Sequence, residues 1–429
     1  MKKFSPRILL RYHQTVSYLE GLSNLPIAGD YMAGRHDVGM YLKKMRYFLN
    51  LIGNPDQHMK FIHVAGTAGK GTVTNLLHEI LLASGKNVGS FTSPAVTTTL
   101  EEIRVGKLFI SPDEFSNIVD ELKPWIDIAY QKGPYGRPSL YELLLAIALV
   151  YFRRQRCEWI VLEVGLGGRY DATNVIQKPV ITMVTNIDYD HTELLGHTLQ
   201  KIGFDKAGII KRGSAFFTSE RRPAIFKMFQ RVCGRKRVSF TRIGRQKTYQ
   251  EYNHALVTAI AKKLGINAAS IRTGIRNARL PCRFERVQST PTVILDGAHN
   301  RSKIKSTVEN LRHLSFHALH LIIGMAQNKN HDAMLRQIIP HADRVSITRF
   351  QTRNRECAHP NELLIRAKKY LKKGSRIESS LDPESVLSRA IKRARKDDLI
   401  LVTGSFFLAG ELRKRWITEE HCLETRNSF

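Results

Sequence analysis

Short apolar runs of strand length alternate with longer stretches of helical spacing, and this alternation sets the reading of the chain. Residues 1–60 read as mostly helical, with a break at Gly29-Asp30 and apolar positions at Met40, Leu42, Met45, Phe48, Leu49 and Ile52. A buried-type strand starts at Phe61 and runs into the glycine-rich segment Gly66-Thr-Ala-Gly-Lys-Gly-Thr72, after which Val73 to Leu82 has helical periodicity. Asn87–Phe91, Trp159–Val164 and Val180–Thr185 predict three more strands. Between them Ser111, with Glu114 behind it, signals a helix start, and Tyr141–Phe152 predicts a strongly apolar helix. Near Leu280-Pro-Cys-Arg-Phe-Glu285 the pattern restarts, with strands predicted at Thr292–Asp296, Leu319–Ile323, Arg344–Thr348 and Leu399–Thr403. Gly297-Ala-His-Asn300 opens the first helix of this second half, and no internal repeat or low-complexity segment interrupts it.

Strands alternating with helices predict a doubly wound parallel sheet, in which ligands gather at the carboxyl ends of the strands. The loop after Ala65 would then share one rim with Ser93, Glu163 and His191. A length of 429 residues favours two α/β domains. The expected division is a phosphate-binding domain over 1–286 and a smaller, Rossmann-like domain over 287–429.

Composition adds bounds rather than identity. The 42% hydrophobic content is ordinary, and no run is long enough to span a bilayer. Behind Met1-Lys-Lys the apolar stretch is only Ile8-Leu-Leu10, too short for a signal peptide. Five cysteines without CxxC spacing suit a reducing compartment, so a cytoplasmic location is expected. The formal net charge of +29 would suit a polyanionic partner. The basic residues are dispersed and no nucleic-acid motif accompanies them, so nucleic acid is not expected as a partner, nor is a membrane.

The strand–glycine turn–helix at Gly66–Thr72 has the build of a phosphate cradle. Gly66, Gly69 and Gly71 let backbone approach an anion, helix-start amides face it, and Lys70 adds a point charge. Gly71 stands between Lys70 and the hydroxyl of Thr72, whereas the common phosphate loop has the hydroxyl next to the lysine. Ser93, Glu163 and His191 form a hard-cation ligand set of the kind magnesium uses beside a triphosphate. Alternatively, Ser93 shapes a turn and His191 caps a helix. Glu163 closes a strand of Ile, Val and Leu, where a carboxylate without a partner is costly. By spacing alone Lys206 reads as a solvated lysine, and Asp296 and His299 as either nucleotide contacts or an N-cap and a surface histidine.

Taken in order, the motifs resemble the folylpolyglutamate synthase/dihydrofolate synthase family of the Mur-ligase superfamily. The resemblance rests on His63–Thr72, Phe91-Thr-Ser-Pro94, Leu162–Arg169 with Asp171–Val175, Thr185–Asp188 with Asp190-His-Thr192, Lys206–Lys211, Arg283-Phe-Glu285, Asp296–Asn300 and Val402–Ser405. It implies an ATP-dependent amide ligase that adds L-glutamate to a folate-type carboxylate through an acyl phosphate. It further implies that Gly66, Thr67, Ala68, Gly69, Lys70, Gly71 and Thr72 hold the ATP phosphates, with Asn253, Arg283 and Asp296 as further ATP contacts. Ser93, Glu163 and His191 match the family's Mg²⁺ ligands, Lys206 its carbamate-bearing lysine, and His299 its second-domain catalytic motif. A monomer is expected. The chain departs from the family at Ala68, Ala95, Cys282 and the stretch Thr97–Arg104. Two other functions fit parts of the pattern: a Mur-type ligase for another carboxylate, and a nucleic-acid-associated ATPase.

Overall fold

The apolar run at Phe61 becomes β1 (Lys60–Ala65), which lies inside an eight-stranded sheet between two strands that come later in the chain. The computed structural model describes residues 4–23, 39–352 and 356–429; the expected break at Gly29-Asp30 lies outside them. The chain divides into two compact units. The first comprises Met1–Ala95, Thr99–Arg279 and Leu423–Asn427, the second Val96–Thr98, Leu280–Cys422 and Ser428–Phe429. The main division at Arg279/Leu280 precedes the 286/287 boundary drawn from the sequence.

In the first unit the remaining strands are β2 (Val88–Phe91), β3 (Ile103–Val105), β4 (Leu108–Phe109), β5 (Trp159–Glu163), β6 (Ile181–Val184), β7 (Ala215–Thr218) and β8 (Ser239–Arg242). Their order is β4-β3-β2-β5-β1-β6-β7-β8, parallel from β2 to β8, with β3 and β4 added antiparallel at one edge. Alternate residues of the central strands enter different cores. Phe61, Ile160 and Leu162 pack with the helices Met40–Leu51, Pro112–Lys132 and Leu140–Arg154. Ile62, Val64 and Val161 pack with the helices Lys70–Ala83, Tyr249–Lys263 and Ala268–Asn277. Burial on both faces is why these strands read as unbroken apolar runs.

Local signals fix the helix starts. Ser111 Oγ accepts from the Glu114 amide at 3.1 Å. Ser139 and Glu142 form a reciprocal capping box, so the apolar helix begins at Leu140. The helix after the glycine-rich turn starts at Lys70, with Gly69 in the left-handed region at φ 80°. It is held by the helix Ala268–Asn277, whose Gly274 comes so close that a β-carbon there would lie 2.5 Å from Ile80 backbone.

The second unit contains β9 (Glu285–Ser289), β10 (Thr292–Leu295), β11 (Leu319–Ile323), β12 (Arg344–Ile347), β13 (Arg376–Ser379) and β14 (Leu399–Thr403). They form a six-stranded sheet in the order β13-β12-β11-β14-β10-β9, parallel except for β9. Within this unit the fully buried Arg413 donates through Nε and Nη2 to Glu285 at 2.8 Å and through Nη1 to Thr97 at 3.2 Å. Among the described residues no helix is long and apolar enough to cross a membrane.

Candidate active site

The turn between β1 and the helix Lys70–Ala83 is fastened to the segment that follows β6. The Thr67 amide donates to the Asn186 carbonyl at 2.9 Å, and the Ala68 amide to Asn186 Oδ1 at 2.8 Å. Thr185 Oγ1 donates to the Ala68 carbonyl at 2.7 Å, and the Asp188 amide to Thr67 Oγ1 at 3.0 Å. Two loop amides are therefore already occupied. Those of Lys70, Gly71 and Thr72 lie in the first helical turn, where no intrahelical acceptor exists. The anion-facing capacity of the loop is concentrated there.

Each glycine of the loop has its own reason. Gly66 has φ 145°, and a β-carbon on it would fall 1.8 Å from Thr185 Oγ1. A β-carbon on Gly69 would meet Asn253 Oδ1 at 3.0 Å, which places the Asn253 amide against the loop. One on Gly71 would meet Glu163 Oε2 at 3.2 Å. The glycine that separates Lys70 from Thr72 is the space above which the Glu163 carboxylate sits.

Glu163 ends β5 and is buried, and the Ser93 amide reaches its Oε2 at 3.4 Å. The structure thus brings Ser93 and Glu163 together. His191 stands on the loop after β6 with φ 50°, at the start of the short helix Thr192–Leu195 but with no side-chain capping bond. Its ring lies 3.9 Å from Asp190 and 3.8 Å from Glu193. Among the described residues no group of three or more His, Cys, Asp and Glu side chains converges as a metal cage. A site built on Ser93, Glu163 and His191 would therefore leave most of a cation's coordination to phosphate oxygens and water, as magnesium prefers.

Lys206 is not a solvated lysine. It ends the helix Leu199–Lys206, is 4% exposed, and donates from Nζ to the Gly66 carbonyl at 3.0 Å. Lys70 Nζ reaches the same carbonyl at 3.3 Å. Burial, and behind it the charge of Lys70, pushes Lys206 down to about 7, with Asp190, Asp205 and Asp171 acting in the opposite direction. An amine so placed is partly uncharged near neutral pH.

Two further groups were given no role from the sequence, although Asp171 stands in one of the motifs. Asp171 accepts from the Leu166 and Thr173 amides at 3.0 Å each and so shapes the turn after β5. Glu102 is 8% exposed, and its Oε1 accepts from the Ala95 amide at 3.1 Å. A hydrogen-bonded aspartate in a glycine-rich turn was a signal available for the first; nothing in the sequence marked the second.

In the second unit Asp296 follows β10 and is buried, accepting from Thr307 Oγ1 at 2.5 Å. Burial raises its carboxyl above the usual range, with Thr307 and the charge of Arg283 opposing. The Arg283 guanidinium lies over the Phe406 ring at 4.6 Å. A β-carbon on Gly297 would fall 2.1 Å from the same ring. Asp296 is not the helix cap: Asn300 holds that position, accepting from the Lys303 amide at 3.0 Å. His299 is held by its Nδ1 at 2.8 Å from the Gly297 carbonyl and its Nε2 at 2.8 Å from Lys303 Nζ.

Known proteins are similar to this chain along most of its length. Residues 282–406 match the Mur ligase, glutamate ligase domain. The dihydrofolate synthase/folylpolyglutamate synthase of Bacillus subtilis is 28% identical over 87% of this chain and 94% of its own length. The Mycobacterium tuberculosis folylpolyglutamate synthase complexed with ADP superposes with a TM-score of 0.85 at 24% identity, covering 95% of this chain and 99% of that one. The bifunctional folylpolyglutamate synthase/dihydrofolate synthase of Yersinia pestis, complexed with AMPPNP and Mn ion, gives a TM-score of 0.79 at 24% identity, covering 96% and 99%. The chain thus carries a segment that matches a Mur ligase glutamate ligase domain and is similar along most of its length to folylpolyglutamate synthases/dihydrofolate synthases, whose fold it shares.

Proposed function

We propose that the protein is an ATP-dependent carbon–nitrogen ligase that joins the amine of L-glutamate to a folate-type carboxylate, releasing ADP and phosphate. The acceptor is dihydropteroate, a tetrahydrofolate, or both. The observation that carries this reading is a single loop, Gly66–Gly71, met by two lysines at its Gly66 carbonyl and by the buried Glu163 carboxylate at Gly71. Supporting it, relatives of the same fold are complexed with ADP, or with AMPPNP and Mn ion.

The residues present fit a nucleotide with a divalent cation. The missing β-carbons of Gly69 and Gly71 leave room between Asn253, Glu163 and the first helical turn, where the amides of Lys70, Gly71 and Thr72 would hold phosphate oxygens. Ser93, Glu163 and His191 would hold Mg²⁺, whose charge offsets that of the phosphates. Lys70 aligns the terminal phosphate for attack by the acceptor carboxylate, giving an acyl phosphate that the glutamate amine then opens. Lys206, uncharged in part, takes up CO₂ from its neutral form as an N-carboxylate with loss of one proton, two in all from the ammonium, so that a buried cation becomes an anionic ligand. Arg283 and Asp296 are assigned to ATP and His299 to the chemistry. Substituting Arg283 or Asp296 by alanine would raise the KM for ATP.

The test is incubation with ATP, Mg²⁺ and L-glutamate plus dihydropteroate or tetrahydrofolate, followed by mass spectrometry. One glutamyl unit gained on dihydropteroate establishes dihydrofolate synthesis, and serial additions to tetrahydrofolate establish polyglutamylation. ATP consumption without either product would turn the assignment toward another carboxylate, and ATP hydrolysis stimulated by DNA or RNA toward a nucleic-acid-associated ATPase.

A further inference from the structure

The second unit carries a charged groove that the proposed ligase chemistry does not use. On β11, β12 and β13 the parallel register places His320 beside Arg344 and Arg344 beside Arg376, with Ser346 beside Glu378 two residues further on. Register partners in a parallel sheet point to the same face, so these side chains form the floor of one groove. Arg393, at the end of the helix Pro383–Arg393, stands at its wall. The groove encloses about 760 Å³, within the range of small-ligand sites.

Its charges are not balanced. Arg344 and Arg376 are both exposed, and neither has a carboxylate partner among the described residues. Two like-charged residues directly opposite on neighbouring strands, whose backbones run about 5 Å apart, oppose the pairing of those strands. Arg393 has a partner, Glu378, at 3.7 Å. His320 is turned away from any ligand role, its Nε2 held at 3.1 Å by the buried Asp398. Three guanidiniums against the one Glu378 carboxylate leave two positive charges on a concave surface. A dianion would neutralise them.

We propose that this groove binds a small phosphate-bearing molecule, its phosphate group held between the Arg344 and Arg376 guanidiniums with Arg393 closing the third side. Paired guanidiniums suit phosphate because their N–H groups meet its oxygens two at a time. A phosphate dianion matches the local excess of charge, which a single carboxylate would not. Arg344 and Arg376 stand at the amino-terminal ends of β12 and β13, whereas Asp296 follows the carboxyl end of β10, which is not among the strands that line the groove, so the two sites in this unit are separate.

The test uses the full chain carrying Lys70→Ala, which disables the phosphate loop, and titrates inorganic pyrophosphate by calorimetry. A binding event should remain, and Arg344→Gln with Arg376→Gln should weaken it by about tenfold or more. Both residues are exposed, so the fold should survive the change. Arg376→Gln alone should raise the melting temperature in phosphate-free buffer, because it relieves the like-charge pair. Pyrophosphate should then stabilise that variant less than the parent chain. Binding that disappears with Lys70→Ala, or that ignores the double substitution, overturns the proposal. Tighter binding of tri-γ-glutamate than of pyrophosphate, or displacement of pyrophosphate by a single-stranded oligonucleotide alone, overturns it in favour of a carboxylate or a nucleic acid.

Discussion

Gly71 and Glu163 face each other so closely that a β-carbon on the glycine would stand 3.2 Å from the carboxylate Oε2. The residue that departs from the common phosphate-loop pattern is thus the one that makes room for the carboxylate at the end of β5. Gly71→Ala should push Glu163 out of place without harming the helix, since alanine favours a helical turn by about 1 kcal/mol over glycine. Ligation should fall by about tenfold or more, as expected when a reacting group is displaced by a fraction of an ångström. Activity assays beside thermal melts check this; equal loss of both would mean a folding defect instead.

Lys206 supplies a second prediction. Its folded value of about 7 lies below the usual 10.5, so between these limits the unfolded chain binds the extra proton and stability rises with pH. In CO₂-free buffer the parent chain should become more stable as pH rises through that window, and Lys206→Met should lack the gain. With ¹³C-labelled bicarbonate the parent chain should show a carbamate resonance that Lys206→Met and Lys206→Arg both lose, together with ligase activity.

His63 makes the acid side of the profile predictable. It lies on β1, fully buried, with Nε2 at 2.8 Å from Thr173 Oγ1. Thr173 gives its own proton to Asp171, so Nε2 carries the hydrogen and the ring is neutral. Burial, then the charge of Lys211, pushes its pKa down to about 3 from 6.5. As pH falls from 6.5 towards 3 only the unfolded chain gains this proton, and stability should decline. A His63→Gln variant should show a shallower decline in denaturation midpoints across that range, from a lower starting stability.

In the second unit, Glu285→Ala should be severely destabilising. It removes the carboxylate that accepts from Nε and Nη2 of an arginine with no solvent exposure. Breaking a buried pair from one side costs about 3–5 kcal/mol. Urea denaturation should show the loss, and replacing both partners by apolar residues should recover much of it.

How much of this was legible in the sequence depended largely on burial, although the buried four-residue β7 was not read either. The central strands β1, β5, β6, β10, β11 and β14 could be read because both faces are covered and their residues are almost all apolar. Strands β8, β9 and β13 were missed because they are largely polar and half-exposed, so Ser239-Phe-Thr-Arg or Arg376-Ile-Glu-Ser looks like loop. The short edge strands β3 and β4 have too few residues to show a period. The rim expected from strand ends was realised for Ser93 and Glu163, because their separation is fixed by the pairing of β2 with β5. From spacing alone Lys206 could not be read, and only the resemblance singled it out. Whether a lysine on a short helix points at solvent or at the Gly66 carbonyl is settled by tertiary packing, to which sequence spacing is blind.

The hydrogen bonds that fasten the phosphate loop have a bearing on how the protein is made. Thr67 and Ala68 find their partners in Asp188 and Asn186, which lie 121 and 118 residues downstream. During translation the glycine-rich turn therefore leaves the ribosome well before anything can hold it in shape. Both strands that flank β1, namely β5 and β6, are also still unmade at that moment. Nucleotide affinity should thus be absent from nascent chains that stop short of β6 and arise only once Asn186 and Asp188 have emerged, so that ATP itself would favour the chains that have correctly closed their central sheet.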